Sequence, residues 1–115
     1  MDEQSVRDHA QAHIDALRAG DIGAASQEMS PELQRHLGEL VAMLPLPLTE
    51  AAIESMEMTG TGYVSVLRLT GEAGTVRVNA RWKERDGRPM IVEASRIPEP
   101  AAASEPADEP PESPG

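Results

Sequence analysis

The chain has 115 residues, 39% of them apolar and 26% charged, with twenty Asp and Glu against ten Lys and Arg. That length supports one small domain, and the absence of Cys excludes disulfide frameworks, thiolate catalysis and Cys-ligated zinc. A net charge of −10 opposes nucleic acid or an anionic membrane as a partner of the whole surface. No apolar run is long enough to span a bilayer, and Met1-Asp2-Glu3-Gln4 lacks the basic and apolar parts of a signal peptide. A cytoplasmic protein without membrane association is the expectation.

The first half has helical periodicity. Val6, Ala10, Ile14 and Leu17 recur at spacings of four, four and three, one face of a helix that Gly20 ends. Asp21 is placed to cap a short second helix from Ile22 to about Glu28. Ser30-Pro31-Glu32 combines a capping hydroxyl, Pro at the first helical position and an acid at the positive end of the dipole, and so starts a third. Leu33, Leu37, Leu40, Val41 and Leu44 form its apolar stripe, and the prolines of Leu44-Pro45-Leu46-Pro47-Leu48 end it.

The second half changes to a period of two. A weak first strand from about Ala52 to Met58 is expected to give Met56 and Met58 to the core. The next runs from Tyr63 to Thr70 and joins Thr75–Lys83 through Gly71-Glu72-Ala73-Gly74, a loop that sets Leu69 against Val76 and Leu67 against Val78. For the last hairpin, a two-residue Asp86-Gly87 loop would set Ala80 opposite Glu93 and bring a carboxylate to the core. A three-residue loop, Arg85-Asp86-Gly87, avoids that by pairing Trp82 with Met90, Ala80 with Val92 and Val78 with Ala94. The expected fold is α+β, with three N-terminal helices packed on one face of a curved four-stranded antiparallel meander.

Residues 98–115 hold six Pro, five acids and no base, and nothing apolar larger than Ala, so a disordered acidic tail follows a domain spanning residues 1–97. Acids outnumber bases by eleven to three over residues 1–59, whereas residues 60–97 carry seven bases and four acids. The predicted register places Arg68, Arg77, Arg81 and Lys83 on the outer face of the sheet with Val64, Val66, Ile91 and Glu93. Arg68 lies across from Arg77, and Glu93 pairs with Asn79. Such a face is either a solvated surface laced with salt bridges or an interaction surface, since apolar anchors ringed by Arg are enriched at interfaces. The acidic tail folding back onto it is a further, salt-sensitive option.

Site chemistry is sparse. His9 and His13 lie four apart on the first helix, but a metal site needs a third ligand, and Asp8 and His36 qualify only if the fold gathers them; no metal or cofactor is expected. Gly60-Thr61-Gly62 precedes a strand rather than a helix and reads as a turn, not a phosphate loop. No nucleophile motif is present and no catalytic residue is assigned.

The stretch Ala16-Leu17-Arg18-Ala19-Gly20-Asp21-Ile22-Gly23-Ala24-Ala25, followed by Met29-Ser30-Pro31-Glu32-Leu33, is similar to the helical opening of the nuclear transport factor 2-like superfamily. Arg81 to Gly87 and Pro89 to Ile97 resemble its last two strands. The resemblance covers about residues 5–97 and rests on caps and turns. It implies helices and a curved sheet forming a cone that in many members holds a ligand, and dimers that often pack sheet on sheet; the acids, His or Tyr of its enzymes have no match here. Two functions follow as expectations. The first is a non-catalytic module that forms a homodimer or binds a protein partner through Val64, Val66, Arg68, Arg77, Arg81 and Ile91. The second is a site for a small apolar ligand, or an isomerase- or cyclase-like enzyme, in a pocket of Leu17, Leu37, Tyr63, Leu67, Val78 and Trp82.

Overall fold

The computed structural model describes residues 1–98, and the expected acidic tail lies outside the described residues apart from Pro98. Helix α1 spans Glu3–Ala19; the Asp2 carboxylate accepts from the Ser5 amide at 2.8 Å, and Gly20 ends the helix at φ 79°. Its whole predicted stripe, Val6, Ala10, Ile14 and Leu17, is buried. Helix α2, Ile22–Ser26, starts where the Asp21 side chain accepts from the Ala24 amide at 3.0 Å. Ser30 caps the next helix through the Leu33 amide at 3.2 Å, with Pro31 at its first position.

The third helical stretch comes in two pieces, α3 over Pro31–Gln34 and α4 over Leu37–Ala42. Between them the His36 amide donates to the Leu33 carbonyl, and His36 leaves helical geometry at φ −108°, ψ 20°. The break re-aims the leucine stripe. Leu33 stays in the core, while Leu37 and Leu40 pack, half-buried, over the rim of the space between helices and sheet.

Strands β1 (Leu48–Met58), β2 (Tyr63–Gly71), β3 (Gly74–Arg85) and β4 (Arg88–Ile97) form one antiparallel sheet in the order β1-β2-β3-β4. Leu69 faces Val76, Leu67 faces Val78 and Arg68 faces Arg77, as the alternation requires. β1 starts four residues earlier than expected and is irregular near Thr49 and Glu54. Met56 reaches the edge of the core but Met58 does not, being 75% exposed.

The last hairpin corrects the sequence reading. Its loop is the two-residue Asp86-Gly87 turn, with both residues at positive φ, 54° and 81°. Trp82 therefore pairs with Ile91, not Met90. A bulge at Val92 then restores the face: Arg81 pairs with Glu93, Ala80 with Ala94 rather than Val92, and Val78 with Arg96 rather than Ala94. The expected Glu93–Asn79 pair is replaced by Ser95–Asn79. One extra residue keeps Glu93 in solvent, the same constraint that the three-residue loop was meant to satisfy.

Ile91 consequently belongs to the core at 1% exposure, not to the outer face. Its outward edge is also covered: the Ile91 amide donates to the Glu28 carbonyl at 2.7 Å and the Ser30 amide to the Ile91 carbonyl at 2.8 Å. Residues 28–30 thus shield part of the exposed edge of β4.

Candidate functional site

Two surfaces compete for the role, the space between helices and sheet and the outer face of the sheet, which no helix among the described residues covers. The first is a cavity of about 30 Å³ bounded by Leu17, Ala25, Leu37, Leu40, Leu67 and Val78, among others. Ligand sites typically occupy about 300–1,000 Å³, so as it stands the cavity has room for a water or two. Of the residues expected in a pocket, Leu17, Leu37, Leu67 and Val78 border it. Tyr63 and Trp82 do not. Trp82 is fully buried toward the opposite end of the sheet, where its indole N–H donates to Ser65 Oγ at 3.0 Å. Tyr63 borders a separate depression of about 250 Å³ with Met1, Met58, Glu84 and the turn from Thr59 to Gly62.

His13 lines the cavity and is 5% exposed. Its Nδ1 lies 2.9 Å from the Ala25 carbonyl, and a carbonyl only accepts, so Nδ1 carries the proton and Nε2 a lone pair. Burial lowers its pKa below the ordinary 6.5, against smaller raising effects from the Ala25 carbonyl and the Glu28 carboxylate. The folded chain therefore binds this proton less readily than the unfolded chain. Stability should be full above the unfolded value and fall as pH drops below it, by up to ~1.4 kcal/mol per pH unit for one proton. Urea unfolding at intervals from pH 7.5 to 5 should show this slope in the parent and a shallower one in His13→Gln. Equal slopes would place the pH dependence elsewhere.

The two histidines of α1 do not converge. His9 Nδ1 is 2.8 Å from Glu28 Oε1, and His13 is held at Ala25. His36 lies beside Glu39 at 3.5 Å instead. Among the described residues no three His, Asp or Glu side chains are grouped to hold a metal ion. Among them, too, no helix is long and apolar enough to cross a membrane.

The outer face follows from register. Val64, Val66 and Arg68 of β2 stand beside Arg81, Asn79 and Arg77 of β3, opposite in direction to the buried Tyr63, Ser65, Leu67 and Leu69. Val64 and Val66 are half-buried, and the helices cover the other side of the sheet. The Val92 bulge sets Val92 here as a replacement for Ile91, with Met90 and Ile97 at the margins, all half-buried.

Sequence reasoning overlooked the acids of β1. Glu50, Glu54 and Glu57 reach this same face, and their spacing conceals it because the strand's irregularities at Thr49 and Glu54 break the period of two. Glu54 takes Arg77 in a two-point ion pair, Oε1 to Nε at 2.9 Å and Oε2 to a terminal nitrogen at 3.0 Å, which relieves the Arg68–Arg77 juxtaposition. Arg81 meets Glu93 at 3.4 Å. The face is a mosaic of acid and base columns around a valine centre rather than a basic patch. A depression of about 160 Å³ opens within the mosaic, bounded by Val64, Asn79, Arg81, Glu93 and Ser95.

No protein-family model matches the chain, and no curated protein matches it. The crystal structure of an NTF2-like protein of unknown function from Cytophaga hutchinsonii, at 1.27 Å resolution, superposes with a TM-score of 0.52. The two chains are 14% identical, and the match covers 84% of this chain and 93% of that one. With N-terminal helices laid on one antiparallel meander, this chain has the NTF2-like (nuclear transport factor 2-like) fold.

Proposed function

We propose that the protein is a non-catalytic interaction module that docks a protein partner, or a second copy of itself, on the outer face of its sheet. The observation that carries this reading is the half-buried pair Val64 and Val66 at the centre of a face that no helix among the described residues covers, ringed by Arg68, Arg77 and Arg81. Apolar centres with Arg-rich rims are the composition of docking surfaces. The competing ligand reading is supported less well, because a cavity of about 30 Å³ admits a ligand only if its wall of short helices moves.

The test is Val66→Asp, which puts a charge at the centre of the face without touching the core. Sedimentation of the full chain across micromolar concentrations should show association in the parent and a dissociation constant at least ~30-fold weaker in the variant, the loss of one strong anchor. Parent and variant with the same mass at every concentration, and the same retention of proteins captured from host extract, would refute the assignment.

A further inference from the structure

We infer that the small cavity between helices and sheet is a site for a soft monovalent metal ion, Cu(I), held by His13 Nε2 and the thioether sulfurs of Met29 and Met43. This site stands apart from the outer-face reading, and either can fail without the other.

Three separate elements bring these side chains to one place. His13 comes from α1, Met29 from the segment joining α2 to α3, and Met43 from the end of α4, and all three border the cavity. Every other side chain around it is aliphatic, so His13 carries its only strong polar group. The His13 Nδ1–H donates to the Ala25 carbonyl at 2.9 Å, and Nε2 has no hydrogen-bond partner among the described residues. That is the usual state of a metal-ligating histidine, whose second nitrogen donates to a carbonyl or carboxylate that fixes the tautomer and the ring. The backbone at Met29 is fixed as well. Its neighbours on either side bond Ile91, through the Glu28 carbonyl and the Ser30 amide. Met43 is the C-cap of α4 and is half-buried, the most exposed of the three, which puts the way in for an ion at that end of the cavity.

Size and chemistry select the occupant. A space of about 30 Å³ is far below what an organic ligand needs and close to the volume of one water. A buried water, however, wants roughly two to four polar partners, and here it would find one lone pair and two weakly accepting sulfurs. A soft cation uses all three. Mg²⁺ and Ca²⁺ take oxygen ligands, Zn²⁺ takes Cys, His or carboxylate, and Cu²⁺ favours nitrogen and oxygen in a plane, whereas thioethers suit Cu(I).

Charge is consistent with a monovalent ion. The desolvation cost of a single charge is smaller than that of a double one. The Glu28 carboxylate, near enough to His13 to raise its proton affinity, supplies an opposite charge. Burial has the larger effect on His13 and favours the neutral ring, so Nε2 keeps its lone pair. The ligand set thus joins one histidine to methionines rather than to the second histidine of α1, since His9 turns to Glu28.

The test is competition for Cu(I) between the full chain and the chromophoric chelator bicinchoninate, without oxygen and with ascorbate present. The parent should withdraw a single Cu(I) per chain. His13→Gln, Met29→Leu and Met43→Leu should each weaken binding at least ~10-fold, no less than the loss of a partner outside the ligand shell. The methionine replacements conserve volume and preserve the packing. Met1→Leu together with Met58→Leu removes the exposed thioethers and should change nothing. A second measurement needs no variant. In the parent labelled at its methionine methyls, Ag(I), a redox-inert stand-in, should shift the signals of Met29 and Met43 and leave the rest of the six in place.

A parent that takes no Cu(I) from the chelator overturns the inference, as does an affinity that any one of the three cavity substitutions leaves unchanged. So do Ag(I) shifts that miss Met29 or Met43, which would put the binding at sulfur elsewhere on the chain.

Discussion

Trp82→Ala should cost about 3–5 kcal/mol, the largest single side-chain loss available in this chain. Trp82 is fully buried between two cross-strand neighbours, Tyr63 on β2 and Ile91 on β4, and is the largest of the fully buried side chains. No Phe exists elsewhere to share the load. A domain of this size commonly has a total stability of about 5–15 kcal/mol, so the variant should be unfolded or close to it at 37 °C.

The indole N–H adds a second contribution that can be separated from volume. It donates to Ser65 Oγ, and Ser65 is itself wholly buried. Ser65→Ala strands that donor and should cost about 1–3 kcal/mol, whereas adding Ser65→Ala to Trp82→Phe should cost far less, since no donor is then left unpaired. Urea unfolding of the three variants closes the cycle. A Ser65→Ala variant as stable as the parent would mean that the indole N–H is satisfied in some other way.

What could be read from sequence follows from how local each determinant is. Helix α1 and the caps at Asp21 and Ser30 were legible because a cap is a relation between one side chain and an amide three residues away. The β2–β3 pairing was legible for a similar reason, since the tight turn between Gly71 and Gly74 leaves one register that puts Leu67, Leu69, Val76 and Val78 on one side.

Misreadings arose where an irregularity changes the phase. Asp86-Gly87 favours the two-residue turn on local grounds, but that turn is compatible with a buried Ala80 only if β4 bulges at Val92. Nothing around Val92 announces a bulge; the backbone bonds that hold the neighbouring Ile91 come from Glu28 and Ser30, more than sixty residues distant in sequence, on the other edge. Ile91 was therefore assigned to the wrong face. The same blindness hid Glu50, Glu54 and Glu57, whose strand is irregular at two points. The candidate interface was thus legible in its valines and arginines and invisible in its acids.

Gly71→Ala should be the most damaging change of a single small residue, at about 3 kcal/mol, the upper end of the cost of overpacking. A Cβ there would stand 1.8 Å from the Pro45 carbonyl oxygen and 2.8 Å from that of Pro47. Neither obstacle is a flexible side-chain tip. Both are backbone of the segment that leads from α4 into β1, so relief means lifting that segment off the end of β2. Leu48 would go with it, since it is buried and pairs with Gly71. Met43 and Leu44 border the helix–sheet cavity just before those prolines, so the wall of α4 should loosen as well. Gly38 supplies the control. It lies inside α4, and a Cβ there meets nothing within 4 Å. Gly38→Ala should be neutral or stabilise the chain by about 0.5–1 kcal/mol through backbone entropy. Thermal melts of the two variants should move in opposite directions, Gly71→Ala downward by roughly 12–24 °C at about 4–8 °C per kcal/mol. Two coincident melts would mean that the proline segment does not press on β2, and the path of the chain between α4 and β1 would need to be redrawn.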